Sequence, residues 1–411
     1  MLRSSRIRLN VENTLGRFGR DTRGAVAIIF TFALVILIGV AGGAVDYGYA
    51  YSQKTRLQSA IDAAAIAAAR MQNATQPDRE SQALAVFRSN FPEYASVAVN
   101  LSIVNDAVHL TALKTHQTSL LKVIGINSVP LHALAEVPLA KSGKAEVVLV
   151  LDYSDSMIDA DKYIRMREAA LKLIDTITDN GKNTNVKFGI VPFAAMVHAD
   201  LTAGFVRSDV TYNGCTQDRR YPFSSQEVAG TGADASRWGE ITSSHSCPDM
   251  ASRGLKVVPL TSDIASVKSK ITAMQPYLWT HIALGADFGW QVLSPTGAFP
   301  GATSYSDKET LKVFVLLTDG MQTAPGWGPG NSQTTGDAEA NLQSICTGMK
   351  SKNIMVFTIG YDLTDTHTID LLKNCANTGN FYNAADINTG LLAAFSGIAK
   401  QVQEKMMRLT K

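Results

Sequence analysis

Hydrophobic positions fall into three regimes along the chain. The first is an uncharged run from Gly24 to Val45, GAVAIIFTFALVILIGVAGGAV, long enough as a helix to cross the hydrocarbon core of a bilayer. From Tyr47 to Met71 no proline interrupts the pattern, and the stretch AIDAAAIAAAR has high helix propensity, so the helix is predicted to continue past the span as a stalk over 47–76. Its small residues suit close packing against another helix, and a solvated helix fits them equally. The second regime starts near Pro77. Val97, Val99, Leu101 and Ile103 alternate, and Val108, Leu110 and Ala112 follow an Asn105-Asp106 turn, which predicts a hairpin. A short helix near Leu120 to Ile124 and a strand around Leu131 to Val137 complete a small α+β module over 77–141.

The third regime, 142–411, alternates apolar strands with amphipathic helices and predicts an α/β unit with a doubly wound, mainly parallel, Rossmann-like sheet. Its strands are Glu146 to Leu151, Val186 to Pro192, Lys312 to Thr318, Ile354 to Gly360 and a short one near Phe381, with a closing helix from Thr389 to Arg408. Runs such as VVLVL and VFVLL suit strands buried on both faces. The stretch 201–256 is rich in Gly, Ser, Thr, Asp and Cys without sustained periodicity and is read as a surface insertion.

Charge fixes an orientation. Arg3, Arg6, Arg8, Arg17, Arg20 and Arg23 precede the apolar run against only Glu12 and Asp21, so residues 1–23 are expected to form a cytoplasmic basic tail, 24–46 a transmembrane helix, and the rest to be exported. The run is too long for the apolar core of a signal peptide, and no small-x-small site ends it in polar sequence, so retention is expected over cleavage. A net charge of +2, from 38 basic and 36 acidic residues, offers no field for nucleic acid, and no long basic run follows the span. No GxxxxGK[ST] loop is present to bind nucleotide, and the seven histidines show no metal-binding spacing. Four widely spaced cysteines, Cys215, Cys247, Cys346 and Cys375, fit disulfides in an exported chain. Of three pairings, Cys215 with Cys247 and Cys346 with Cys375 are favoured because each encloses a moderate loop; buried free thiols are the alternative.

Chemistry concentrates at two strand ends, where open α/β sheets bind ligands. DYSDSM after VVLVL supplies Asp152, Ser154 and Ser156; TDG after VFVLL supplies Asp319; WTHIALG between them supplies Thr280. This constellation resembles the metal-ion-dependent adhesion site of von Willebrand factor A domains, whose DxSxS motif, second-loop threonine and third-loop aspartate occur in the same order. The resemblance implies Ser154, Ser156 and Thr280 as hydroxyl ligands, with Asp152 and Asp319 acting directly or through water. Hard oxygens with two carboxylates suit Mg²⁺, with Ca²⁺ or Mn²⁺ as alternatives, and leave the ion able to accept an acidic side chain from a protein partner. Two departures stand out: Asp155 where the family usually has Gly, and Trp279 where it often has Gly. Asp155 is open to two roles, raising metal affinity or facing solvent; Trp279 either flanks a partner's side chain or is buried against the sheet. The bland alternative for the first loop is that Asp152 and Ser154 merely cap the following helix.

The N-terminal stretch RGAVAIIFTFALVILIGVAGGAVDYGYAYSQKTRLQSAIDAAAIAAA, together with THIALGADFGWQVLSP and the TDG strand, resembles the TadG-like branch of Flp (tight adherence) pilus-assembly proteins. That resemblance implies a membrane-anchored, periplasmic or surface-associated assembly component that is not an enzyme and binds other pilus-assembly components. Pseudopilins of that system need a Glu five residues past the cleavage glycine; after Gly24 that position is Ile29, so no such processing is expected. Two other readings use the same residues. A cell-surface adhesin would bind host or matrix ligands through the same metal. A Mg²⁺-dependent phosphohydrolase would need a second Asp as general acid where Ser154 stands, and a serine hydroxyl is a poor proton donor to a leaving group.

Overall fold

A single helix, α1 (Ala25–Arg70), runs through the apolar stretch and the alanine-rich stretch without a break. The structure is a computed structural model that describes residues 25–71, 74–90, 92–94, 96–139, 143–227, 230, 232–241 and 247–409. The basic segment 1–23 and Gly24 lie outside the described residues. Contacts divide the chain into two compact units, Met1–Ala140 and Lys141–Lys411.

In the first unit, the early part of α1 exposes its large apolar side chains, Ile28 to Val40 among them, and the helix is long and apolar enough to cross a membrane. Its later part does something else. Leu57, Ala60, Ile61, Ala64, Ala65 and Ala68 recur at helical spacing and are fully buried. They face a three-stranded antiparallel sheet, β1 (Val99–Val104), β2 (Ala107–Gln117) and β3 (Ser128–Pro138), in that order. The small residues thus let the helix lie close on its own sheet and against a second helix of the same unit. A second helix, α2 (Gln76–Asn90), was not anticipated; it adds Ala83 and Phe87 to the same core. Its cue was Thr75 and Asp78, three residues apart around Pro77, with the Thr75 hydroxyl donating to the Asp78 carboxylate at 2.7 Å.

The second unit is mixed α/β. Strands β4 (Lys144–Asp152), β5 (Val186–Phe193), β6 (Val258–Thr261), β7 (Thr310–Thr318), β8 (Met355–Tyr361) and β9 (Phe381–Ala384) form one sheet in the order β9-β8-β7-β4-β5-β6. All neighbours are parallel except β6, which runs antiparallel to β5 across a bulge. Alternation along β4 sends Val147, Leu149 and Leu151 to one face and Val148 and Val150 to the other. The first face is covered by α3 (Lys162–Ile177), α4 (Ile264–Ala273) and α8 (Gly390–Leu409). The second is covered by α5 (Ile282–Leu293), α6 (Thr335–Ser351) and α7 (Thr366–Cys375). Every residue of α5 is buried. It reaches that depth through Gly289, where an added Cβ would meet Phe314 and Val150 side chains at 2.5 Å.

The stretch 201–256 is mostly irregular, with a short helix over Cys247–Ser252, and exposes many of its residues while burying others against the core. Arg219 and Trp238 are fully buried, the guanidinium lying 4.2 Å from the indole centroid and pairing at 2.9 Å with Asp287 of α5. Burial pushes the Asp287 carboxyl up to about 6, with Arg219 pulling the other way. Disulfides join Cys215 to Cys247 and Cys346 to Cys375, with Cα separations of 5.6 and 5.1 Å.

Two stability outcomes follow. Replacing Cys346 and Cys375 by alanine is expected to lower the unfolding free energy of this unit by about 3–4 kcal/mol, the loop-closure value for a span of this length, read as the urea midpoint in detergent. Arg219→Met, which strands Asp287 in the core, is expected to cost about 3–5 kcal/mol in the same assay, and adding Asp287→Leu should restore most of it.

Candidate functional site

The switch in strand order falls between β4 and β7, whose connections leave in opposite directions and open a crevice at their carboxyl ends. Asp152 is the last residue of β4, and Asp319 follows the last residue of β7. The pairing of β4 with β7 therefore sets two carboxylates side by side, both buried. Burial, then the negative charge of Asp319, push the Asp152 carboxyl up to about 7; hydrogen bonds from Thr318 and Ser154 pull it down.

The first loop turns sharply after Asp152, and the Ser154 N–H donates to Asp152 Oδ1 at 2.8 Å. Ser156 Oγ donates to Asp319 Oδ1 at 2.6 Å and lies 3.1 Å from Ser154 Oγ, so Ser154 is the donor in that second bond. Thr318 Oγ1 donates to Asp152 Oδ2 at 2.6 Å. Ser154 stands at the front of the next helical turn but makes no side-chain capping bond there. Its hydroxyl faces the carboxylates instead.

Thr280 arrives on the turn before α5, where Leu278 adopts a left-handed backbone conformation with φ of 70°. A Cβ built on Gly320 would lie 3.7 Å from both Ser156 Oγ and Thr280 Oγ1, so the third loop's glycine lies beside both hydroxyls. The five residues singled out in the sequence thus share one crevice. Cys215, Cys247, Cys346 and Cys375 do not belong to it; they are tied up in the two disulfides.

What holds the loops in register was not legible beforehand. Asp155 is exposed, and it also bridges two loops: its Oδ1 accepts the Leu278 N–H at 3.0 Å while its own N–H donates to Leu278 O at 2.8 Å. This ties the serine loop to the threonine loop. The aspartate loop is tied in turn by Thr323 Oγ1, which accepts the Thr280 N–H at 2.9 Å, and by Gln322 Oε1, which accepts the Ile282 N–H at 2.7 Å. His281, the N-cap of α5, is fully buried, with Nε2 3.2 Å from Asp218 Oδ1 of the irregular stretch. Trp279 is 54% exposed, which settles its placement against burial.

Lys162, at the start of α3, was also missed. Its buried ammonium reaches Asp319 Oδ2 at 2.5 Å and Asp362 at 3.9 Å. The signal was its distance from the motif: ten positions after Asp152, on the helix that the motif loop feeds. The donor set as a whole, two adjacent buried carboxylates and three hydroxyls with no sulfur or imidazole, is the chemistry of a small hard cation.

The family described as Flp pilus-assembly TadE/G-like matches residues 24–71. No curated relative matches the chain. Among solved structures, the chain is similar to the pilus adhesin SpaC from Lactobacillus rhamnosus GG, at 13% identity and a TM-score of 0.40, covering 75% of this chain and 34% of that one. It is similar to the tip pilin GBS104 of Streptococcus agalactiae at 12% identity and 0.38, covering 74% and 68%. It is also similar to proximal thread matrix protein 1 of the mussel byssus at 16% identity and 0.33, covering 65% and 47%. The chain thus spans about a third of the length of SpaC.

Lys162→Met is expected to leave Asp319 buried beside Asp152 without its cation. In EDTA the variant should unfold about 3 kcal/mol more easily in urea than the parent, with an unchanged circular dichroism spectrum before the transition.

Proposed function

We propose that this protein is a single-pass inner-membrane component of Flp pilus assembly. In this reading its N-terminus is cytoplasmic, its 142–411 unit is an exported von Willebrand factor A domain, and that domain docks a protein partner without catalysis. The anchor rests on the TadE/G-like match at 24–71 and on an apolar helix of spanning length in the same place. The domain assignment rests on the strand order, the antiparallel edge strand and the placement of three loops at the switch.

The observation that carries the docking reading is the convergence of Asp152, Ser154, Ser156, Thr280 and Asp319 on one crevice. These residues would hold Mg²⁺, which when bound supplies a positive centre with a coordination position for an acidic side chain of the partner. Asp152 and Asp319 supply the charge that retains it. Ser154, Ser156 and Thr280 supply neutral oxygens, so that the site is not over-neutralised and keeps affinity for an incoming carboxylate. Asp155, Thr323 and Gln322 hold the three loops at fixed spacing, and exposed Trp279 stands on the threonine loop where a docked partner would meet it.

Mg²⁺ titrated calorimetrically into full-length protein in detergent should bind one ion, and Asp152→Ala should lose that heat while keeping the parent's spectrum. Crosslinking from intact cells should recover Flp pilus-assembly components with the parent and not with Asp152→Ala. Undiminished recovery with the variant, or with EDTA-treated protein, refutes the reading; recovery of host or matrix glycoproteins alone moves it to adhesion.

A further inference from the structure

Among the described residues of the first unit, several large apolar side chains are exposed outside the apolar run of α1, Leu113 and Leu134 on the sheet among them, and three of them cluster in one segment. It is the turn between β2 and β3, where Val123 is 76%, Ile124 56% and Ile126 45% exposed. Three observations fix what lies around it. Leu120 and Leu121 of the same turn pack on Gly42 and Gly43 of α1: a Cβ at Gly42 would come within 2.7 Å of Leu120 Cβ, and one at Gly43 within 3.3 Å of Leu121 Cδ2. Gly42 and Gly43 belong to the uncharged run that ends at Val45. Beyond that run, Tyr47, Tyr49 and Tyr51 are all exposed on α1, the residue type that marks the headgroup level of a membrane-spanning helix. At the helical rise, Gly42 lies about 7 Å before Tyr47, which places the turn's anchor below the headgroups.

We propose that the turn Ser119–Ile126 dips into the outer leaflet of the bilayer crossed by α1, making a second membrane contact beside the span. The inference rests on α1 being a membrane span. The backbone of the turn is prepared for lipid, where an unbonded peptide group is costly. Asp46, buried, accepts the N–H groups of Ser119, Leu120 and Leu121 at 3.1, 2.8 and 2.7 Å. Val123, Gly125 and Ile126 donate to carbonyls of the same turn, and Gly125 closes it with φ of 89°. The Thr118 hydroxyl donates to the Ile126 carbonyl. Six of the eight N–H groups of the turn, those of Ser119, Leu120, Leu121, Val123, Gly125 and Ile126, are thus satisfied within the protein. Lys122 is exposed in the middle of the turn, where a long cationic side chain can reach the phosphate level while its neighbours stay in the hydrocarbon. Apolar depth of this order is what interfacial segments reach.

The test uses the full chain in liposomes, with an environment-sensitive fluorophore (NBD) on a single added cysteine. Ile124→Cys is the probe position. Leu37→Cys, inside the apolar run, reports whether α1 is inserted. Val104→Cys, at the opposite end of the hairpin and about 30 Å from the turn along β2, reports the aqueous baseline. The expected result is a blue-shifted emission at Ile124 that is quenched by lipids spin-labelled at a shallow acyl position, quenching at Leu37, and water-like, unquenched emission at Val104. Water-like emission at Ile124 with quenching at Leu37 overturns the inference alone. A blue shift at Ile124 that spin-labelled lipid does not quench means a protein covers the turn, and also overturns it. An unquenched Leu37 removes the membrane span and the inference together.

Discussion

Two carboxylates buried side by side at the ends of neighbouring parallel strands are the constraint around which the larger unit is organised. Parallel pairing of β4 and β7 brings Asp152 and Asp319 together whatever else the chain does. In a buried site their mutual repulsion is large, and burial opposes the ionisation of each. The surrounding structure answers with donors and a cation: Thr318 and the Ser154 amide on Asp152, Ser156 and Lys162 on Asp319. Such an arrangement is poor value as a stabilising core, where apolar side chains would do better. It is the arrangement on which the proposed docking through a cation rests.

The strands that build this site were legible in the sequence because they are long apolar runs, and a run such as VVLVL admits few other interpretations. The edge strand β6 was not, because it carries Pro259 and touches β5 at only two residue pairs across a bulge; proline is tolerated on an edge where its missing N–H costs no ladder bond. Helix α2 escaped notice because only Ala83 and Phe87 bury fully, too few for a visible helical stripe. Within the site, the oxygen-bearing residues stood out by motif and order, whereas the residues that set their spacing did not. Asp155, Thr323, Gln322 and Lys162 act across 40 to 160 positions of sequence through a few hydrogen bonds or ion pairs each, and no local pattern encodes such partners.

The irregular stretch shows a similar limit. Composition marked it as polar and weakly periodic but gave no sign of its core anchor, Arg219, buried between Trp238 and Asp287. Asp218, from the same stretch, contacts His281 at the root of the threonine loop. The segment is therefore part of the wall that holds the site and not an ornament on it.

Helix α1 has a mechanical implication of its own. It has no proline, and its later turns are the floor on which β2 and β3 rest, so the apolar stretch and the module share one continuous helix. In the proposed anchor, any tilt or axial rotation imposed on the span by a thicker bilayer or by a neighbouring helix would pass through that helix to the sheet. Under that proposal the first unit would be geared to its membrane, its heading reporting what the lipid does to the anchor.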